Sequence, residues 1–187
     1  MTEALYGGVR FFQYRCKKGA RGRIYETALA LARMAHQAKA LFIVNDHADI
    51  AVAVDADGVH LGQDDLPIEY ARKLLGKKNI IGISTHSFEQ AKTAEAAGAD
   101  YIGFGPVFST STKDAGEAQG PQKLGAIRQL VTIPVIAIGG INHTNVQEAL
   151  QAGADGVAVI SAVLSAENIR LAAGDMIRLL SEVRRNL

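Results

Sequence analysis

The sequence predicts an α/β domain of the TIM (βα)8-barrel type. Three observations lead there. Short β-rich runs alternate with amphipathic helical stretches, glycine punctuates the helix-to-strand junctions, and polar or glycine-rich residues stand at the C-terminal end of almost every strand. The alternation calls for a parallel sheet with helices outside, which an open doubly wound sheet satisfies as well as a barrel does. The third observation decides between them. An open sheet gathers its functional residues near one crevice, whereas here they recur strand after strand, at the end where barrels build their sites. At 187 residues the chain suits one domain over residues 1–187, able to bury a core without a disulfide or a structural metal.

The chain opens on Glu3 to Gly8, which reads as the tail of a helix. The barrel has eight strands and seven are found here, so the expectation is that the first strand and most of the first helix are missing from this chain. The strands are read at Val9–Arg15, Leu41–Asn45, Gly58–Leu61, Asn79–Ser84, Tyr101–Gly105, Pro134–Ile138 and Gly156–Ser161. Helical patterning covers Ile24–His36, Ile68–Leu75, Phe88–Ala97, Leu124–Leu130, Val146–Ala152 and Ala166–Leu187. Local chemistry agrees: Gly98 and Gly153 each fall just past a helix and just before an Ala-Asp-strand junction, and Ser87 with Gln90 forms a capping box.

A formal net charge of +1 with no block of like charge gives no electrostatic support for a nucleic-acid or membrane-surface partner. The apolar runs are too short to cross a bilayer and no signal pattern opens the chain, so a cytoplasmic protein acting on small molecules is expected. Its single cysteine, Cys16, agrees with a reducing compartment. Self-association into a homo-oligomer is left open.

Candidate chemistry collects at the strand ends. A period of two along the first strand puts Gln13, Arg15 and Lys17 on one face and Tyr14 and Cys16 on the other. A bidentate guanidinium beside a mobile ammonium suits a diphosphate, though solvated cations at a strand end are an equal alternative. Asn45 and Asp46 end the next strand, and Gly62-Gln63-Asp64-Asp65 follows the one after. Carboxylates from neighbouring loops can share Mg²⁺; taken singly, each could instead cap the helix that follows. Ser84, Thr85 and His86 stand at the fourth strand's end, where a lone His beside a helix start is more often structural than catalytic. Gly103-Phe104-Gly105-Pro106 leads into a hydroxyl-rich loop with Thr110, Ser111, Thr112 and Lys113. Gly139-Gly140 and Ile160-Ser161 close the last two strands, where barrels commonly hold a phosphate on backbone N–H groups.

The segments 13–18, 42–51, 56–65, 80–87, 99–113, 133–141 and 153–163, in this order and spacing, resemble the thiamine-phosphate synthase family over nearly the whole chain. The resemblance implies a transferase of thiamine biosynthesis joining a pyrimidine diphosphate to a thiazole phosphate. It implies that Gln13, Arg15, Lys17, Asn45, Ser84 and Lys113 hold the pyrimidine diphosphate, with Arg15, Lys17, Lys113 and Ser84 catalytic. Asp46 and Asp65 would bind Mg²⁺, and Thr110, Ser111, Thr112, Gly140, Ile160 and Ser161 would contact the thiazole phosphate. Two rivals stand beside it. One is a thiazole tautomerase using His86 as acid or base, and the other is a non-catalytic barrel that binds a phosphorylated ligand.

Overall fold

Each β-rich run folds as a strand, and each hands over to a helix on the outside of the sheet. A computed structural model describes residues 1–110 and 116–185. The strands are β1 (Phe11–Tyr14), β2 (Leu41–Asn45), β3 (Gly58–Leu61), β4 (Ile80–Thr85), β5 (Tyr101–Phe104), β6 (Val135–Ile138) and β7 (Gly156–Ala158). The helices are α1 (Thr2–Tyr6), α2 (Arg21–Gln37), α3 (Ala48–Ala53), α4 (Ile68–Leu75), α5 (Phe88–Ala96), α6 (Gly120–Leu130), α7 (Val146–Gln151), α8 (Ser161–Leu164) and α9 (Ile169–Arg185). All neighbouring strands pair in parallel, in the order of the chain. The sheet is curled. In a flat sheet β1 and β5 would lie roughly 19 Å apart at the usual strand spacing, yet the Phe11 and Tyr101 rings meet edge to face with centroids 5.9 Å apart. A parallel sheet curled with its helices outside is the TIM-type α/β fold expected.

Several element ends shift from the expectation by one to four residues, and two differences bear on the site. β7 stops at Ala158, because Ile160 leaves the extended region at φ −120° and ψ −78° and its carbonyl accepts from Leu164 N–H at 2.8 Å. Ser161 therefore opens α8 instead of ending a strand. The helix that follows Asp46 is α3, six residues long, with His47 at its cap position.

The strand register separates two faces. Ile43, His60, Gly82, Tyr101 and Gly103 fall on one side through the pairs Asn45↔His60, His60↔Gly82, Gly82↔Tyr101 and Ser84↔Gly103. The alternate positions, Phe42, Val44, Val59, Leu61, Ile81, Ile102, Phe104 and Val135, are buried with Ala28, Ala32, Ala91, Leu124 and Ile127 of the helices. The principal core thus lies between the sheet's outer face and the helices. The inner face carries a mixture of glycine, polar, aromatic and aliphatic residues, Ile43 and Ile138 among the last, and Phe11 on β1 is 42% exposed there.

The near-copied Ala-Asp sequence before several strands has one mechanical use. Asp57 accepts from Phe42 N–H, Asp100 from Ile81 N–H and Asp155 from Val135 N–H, at 2.8, 2.7 and 2.8 Å. In each case the carboxylate ahead of one strand satisfies a donor in the first two residues of the strand before it. Each also meets a basic group: His36, Arg72 or Arg128 respectively. Gly98 and Gly153, at φ +88° and +100°, supply the left-handed turn that brings the chain from helix to clamp.

Candidate active site

The C-terminal ends of β1 to β4 bring Gln13, Arg15, Asn45, Asp46, Asp65 and Ser84 into one rim. Gln13 reaches Tyr101 across the inside of the sheet, and Arg15 lies close enough to act electrostatically on both Asp46 and His60. Tyr14 instead hydrogen-bonds Thr27 of α2 and Cys16, the outward face that a period of two requires. Lys17 is exposed, three residues beyond the end of β1.

Asp46 and Asp65 meet side chain to side chain. Burial and the neighbouring Asp65 carboxyl push the Asp46 pKa above the ordinary aspartate range, against the opposing pull of Arg15 and His47. Neither residue is a helix cap. α3 takes His47 and α4 takes Pro67 at the cap position, neither with a side-chain cap bond, while Asp65 accepts from Gly62 N–H at 2.7 Å. Asp46 sits at φ +66°, an uncommon conformation for a residue with a side chain, held by its own N–H donating to His60 O at 2.9 Å. Asn45, buried at the end of β2, donates its amide to the Asp46 carboxylate. Two facing carboxylates that repel one another fit a hard divalent cation such as Mg²⁺, whose oxygen-rich shell takes one or two protein carboxylates. Among the described residues no group of three or more His, Cys, Asp or Glu side chains forms a fuller metal cage.

Ser84 stands at the end of β4 beside a group that sequence reasoning missed. His60 Nε2 lies 2.9 Å from Ser84 Oγ, and its Nδ1 lies 2.8 Å from the Tyr101 hydroxyl. Burial holds the His60 pKa down to about 4, with Asp65 pulling up and Arg15 pushing further down. Burial also raises the Tyr101 phenol above its ordinary value, while Gln13 lowers it. Gly82 and Gly103 leave the room. A Cβ at Gly82 would stand 2.1 Å from Tyr101 Cζ, and one at Gly103 would stand 3.2 Å from His60 Cε1. Gln63 ties the β3 loop down by donating to Ser84 O at 2.7 Å.

His86 takes a structural place. Its Nδ1 hydrogen-bonds the Gly105 carbonyl, its N–H donates to Gln90 Oε1 at 2.7 Å, and its carbonyl accepts from Lys123. Gln90 N–H donates to Ser87 Oγ at 3.2 Å, so the expected capping box forms with its return bond reaching His86 instead of Ser87.

The remaining expected residues form a second group. Val107 and Phe108 N–H donate to Ile138 and Gly139 carbonyls at 2.8 and 3.1 Å, laying the β5 loop against the end of β6. Gly139 and Gly140, at φ +83° and +68°, have no space for a side chain: a Cβ would meet Pro106 at 2.4 Å or Ser109 O at 2.4 Å. Thr110 is half-buried in this loop. Ser111, Thr112 and Lys113 lie outside the described residues. Ile160, 63% exposed, and Ser161, also exposed, follow β7 at the same end of the sheet.

Fold and rim together define a class: a TIM-type α/β enzyme whose strand ends present paired carboxylates, a guanidinium and glycine-shaped loops suited to phosphorylated ligands. A sequence profile described as thiamine monophosphate synthase matches residues 1–163, and the chain belongs to that family. Thiamine-phosphate synthase of Methanospirillum hungatei is 52% identical over 171 residues, covering 91% of this chain and 83% of that protein. Its counterpart from Methanosarcina barkeri is 47% identical over 182 residues, covering 95% and 82%. The solved thiamine phosphate pyrophosphorylase of Pyrococcus furiosus superposes with a TM-score of 0.91 at 46% identity, covering 97% of this chain and 87% of that one. Family membership makes the chain a transferase of thiamine phosphate formation. No helix among the described residues is long and apolar enough to cross a membrane.

Proposed function

We propose that the rim at the ends of β1 to β4 takes a pyrimidine diphosphate and that the ends of β5 to β7 take a thiazole phosphate. The two are joined to thiamine phosphate with release of diphosphate. The observation that carries this reading is the meeting of Asp46 with Asp65 beside Arg15, a charge pattern built for a polyanion and its counter-cation. Mg²⁺, when held by Asp46 and Asp65, supplies positive charge to diphosphate oxygens.

The chemistry asks for little proton transfer. The bond between the pyrimidine methylene and the diphosphate oxygen breaks with its electron pair leaving on oxygen, and the thiazole nitrogen lone pair captures the resulting cation. Negative charge grows on the departing group, so Arg15, Lys17 and Lys113 act more strongly in the transition state than before it. Gln13, Asn45 and Ser84 orient the pyrimidine diphosphate. Thr110, Ser111 and Thr112, with Gly140, Ile160 and Ser161, hold the thiazole phosphate. The same reading places the chain in the cytoplasm and allows a homo-oligomer.

The test is diphosphate release from the two substrates, each alone and together, with and without Mg²⁺. Release only with both substrates and metal is expected. Isomerisation of the thiazole without diphosphate would establish the tautomerase reading instead, and binding without turnover would establish a non-catalytic barrel.

A further inference from the structure

His60 and Tyr101 have no part in the chemistry proposed above, yet the inside of the sheet is shaped around them. Asn45, His60 and Thr85 are the buried polar residues among those described, and Asn45 pairs with His60 in register. Both ring nitrogens of His60 are engaged, at 2.8 and 2.9 Å, which fixes the ring plane as well as its position. Glycine at 82 and 103 clears the volume that the Tyr101 ring and the imidazole occupy. Such clearance on two adjacent strands is what a specified arrangement needs, and an apolar filler would need none of it.

We propose that His60 is a positioning residue which, in a relay running from Gln13 through Tyr101 and His60 to Ser84, sets the direction of the Ser84 hydroxyl proton. The polarity follows from Gln13, whose contact lowers the Tyr101 pKa as a donor to the phenol oxygen does. The Gln13 carboxamide meets the Tyr101 phenol oxygen, and an N–H donated there leaves the phenol O–H to donate to His60 Nδ1. A neutral imidazole that accepts at Nδ1 carries its proton on Nε2, and that N–H donates to Ser84 Oγ. The serine oxygen is then an acceptor inside the relay, and its own proton serves an acceptor beyond it. A diphosphate oxygen or a heteroaromatic ring nitrogen, the acceptors of the proposed pyrimidine diphosphate, fits that demand. The relay's substrate therefore rests on the synthase reading, while its proton order does not.

Two experiments separate those dependences. In steady-state kinetics, His60→Leu is expected to lower kcat/KM for the pyrimidine diphosphate about tenfold, with KM for the thiazole phosphate changed by less than about twofold. His60→Gln, which keeps a side-chain N–H donor, recovers most of that loss. Because His60 works through Ser84, adding His60→Leu to Ser84→Ala should cost nothing beyond Ser84→Ala alone. Multiplicative losses in the double variant, or a His60→Leu enzyme indistinguishable from wild type, overturn the proposal. Independently of turnover, imidazole ¹⁵N–¹H correlation spectra of the wild-type protein should show His60 as the Nε2–H tautomer, and Tyr101→Phe should abolish that preference. An Nδ1–H tautomer in the wild type overturns the relay. If the wild type releases no diphosphate with both substrates and Mg²⁺, the synthase reading fails and the spectra still decide the relay.

Discussion

Replacing Asp46 with asparagine should make the metal-free protein more stable while disabling it. The substitution is nearly isosteric, and the left-handed backbone at φ +66° suits asparagine at least as well as aspartate. Asn45 retains an oxygen to donate to, and the new amide can donate to the facing Asp65 carboxylate. Two unit charges about 4 Å apart repel by about 1 kcal/mol at the dielectric of water and by about 4 kcal/mol at an effective value near 20. Asp46 is half-buried at a wet rim, so the lower figure governs. With the new hydrogen bond the gain is about 1–2 kcal/mol, or roughly 2–8 °C in Tm for a chain of this length. The pH dependence has a definite sign. The folded protein raises the Asp46 pKa, so it binds that proton more tightly than the unfolded chain does. The wild type is therefore free of the penalty below the ordinary aspartate range and loses stability as pH climbs through the raised value. The variant's advantage should be absent near pH 3, taking about 4 as the ordinary aspartate value, and should grow as pH climbs through the raised one. Thermal melts with and without Mg²⁺ provide the assay. Metal at ten times its Kd should stabilise the wild type by about 1.4 kcal/mol and leave the variant unmoved. A variant that melts lower than wild type in metal-free buffer, responds equally to Mg²⁺ and turns over at the full rate would refute the reasoning.

Two further outcomes test the packing. Gly82→Ala places a Cβ 2.1 Å from Tyr101 Cζ and 2.5 Å from its hydroxyl oxygen, so the ring must leave its seat. The expected cost is about 1–3 kcal/mol in denaturant unfolding, accompanied by a changed tyrosine near-UV circular dichroism signal. Asp100→Ala strips Ile81 N–H of its 2.7 Å acceptor and Arg72 of its 2.6 Å partner. It should cost about 1–3 kcal/mol in the same measurement and speed hydrogen exchange of the Ile81 amide, because a partly buried donor is left unmet.

The strands and long helices were legible because each announces itself locally. The run Leu41–Asn45 matches β2 residue for residue, and Ile68–Leu75 does the same for α4. The end of β7 was not, since an apolar run through Ile160 extends the strand pattern and only the backbone turn at that residue stops it. At the site, the alternation Gln13-Tyr14-Arg15 was enough to assign faces. His60 escaped notice because it sits inside an apolar strand with no metal-ligand spacing, where a satisfied core histidine is the ordinary expectation. Its meaning depends on Tyr101 and Ser84, 41 and 24 residues away, which only the register brings together. The glycines at 82 and 103 were the available signal, but a missing side chain says nothing until its neighbour across the ladder is known. Likewise the Gly139-Gly140 pair suggested a phosphate cradle, while the close carbonyls of Phe108 and Ser109 supply a second, purely steric reason for glycine there.

Because the oily side of each strand looks to the helices and the reactive side looks inward, cohesion and chemistry occupy alternate letters of the same words. Substitutions at Val44, Val59 or Ile102 should change how firmly the molecule holds together while barely touching turnover; those at Asn45, His60 or Gly103 should lower both, because the first two are buried and hydrogen-bonded and the third lies against the His60 ring. A slip of a single residue along any ladder would exchange the two vocabularies at once. The carboxylate clamps that fasten the start of one strand to the approach of the next therefore guard the spelling of the site from its far end.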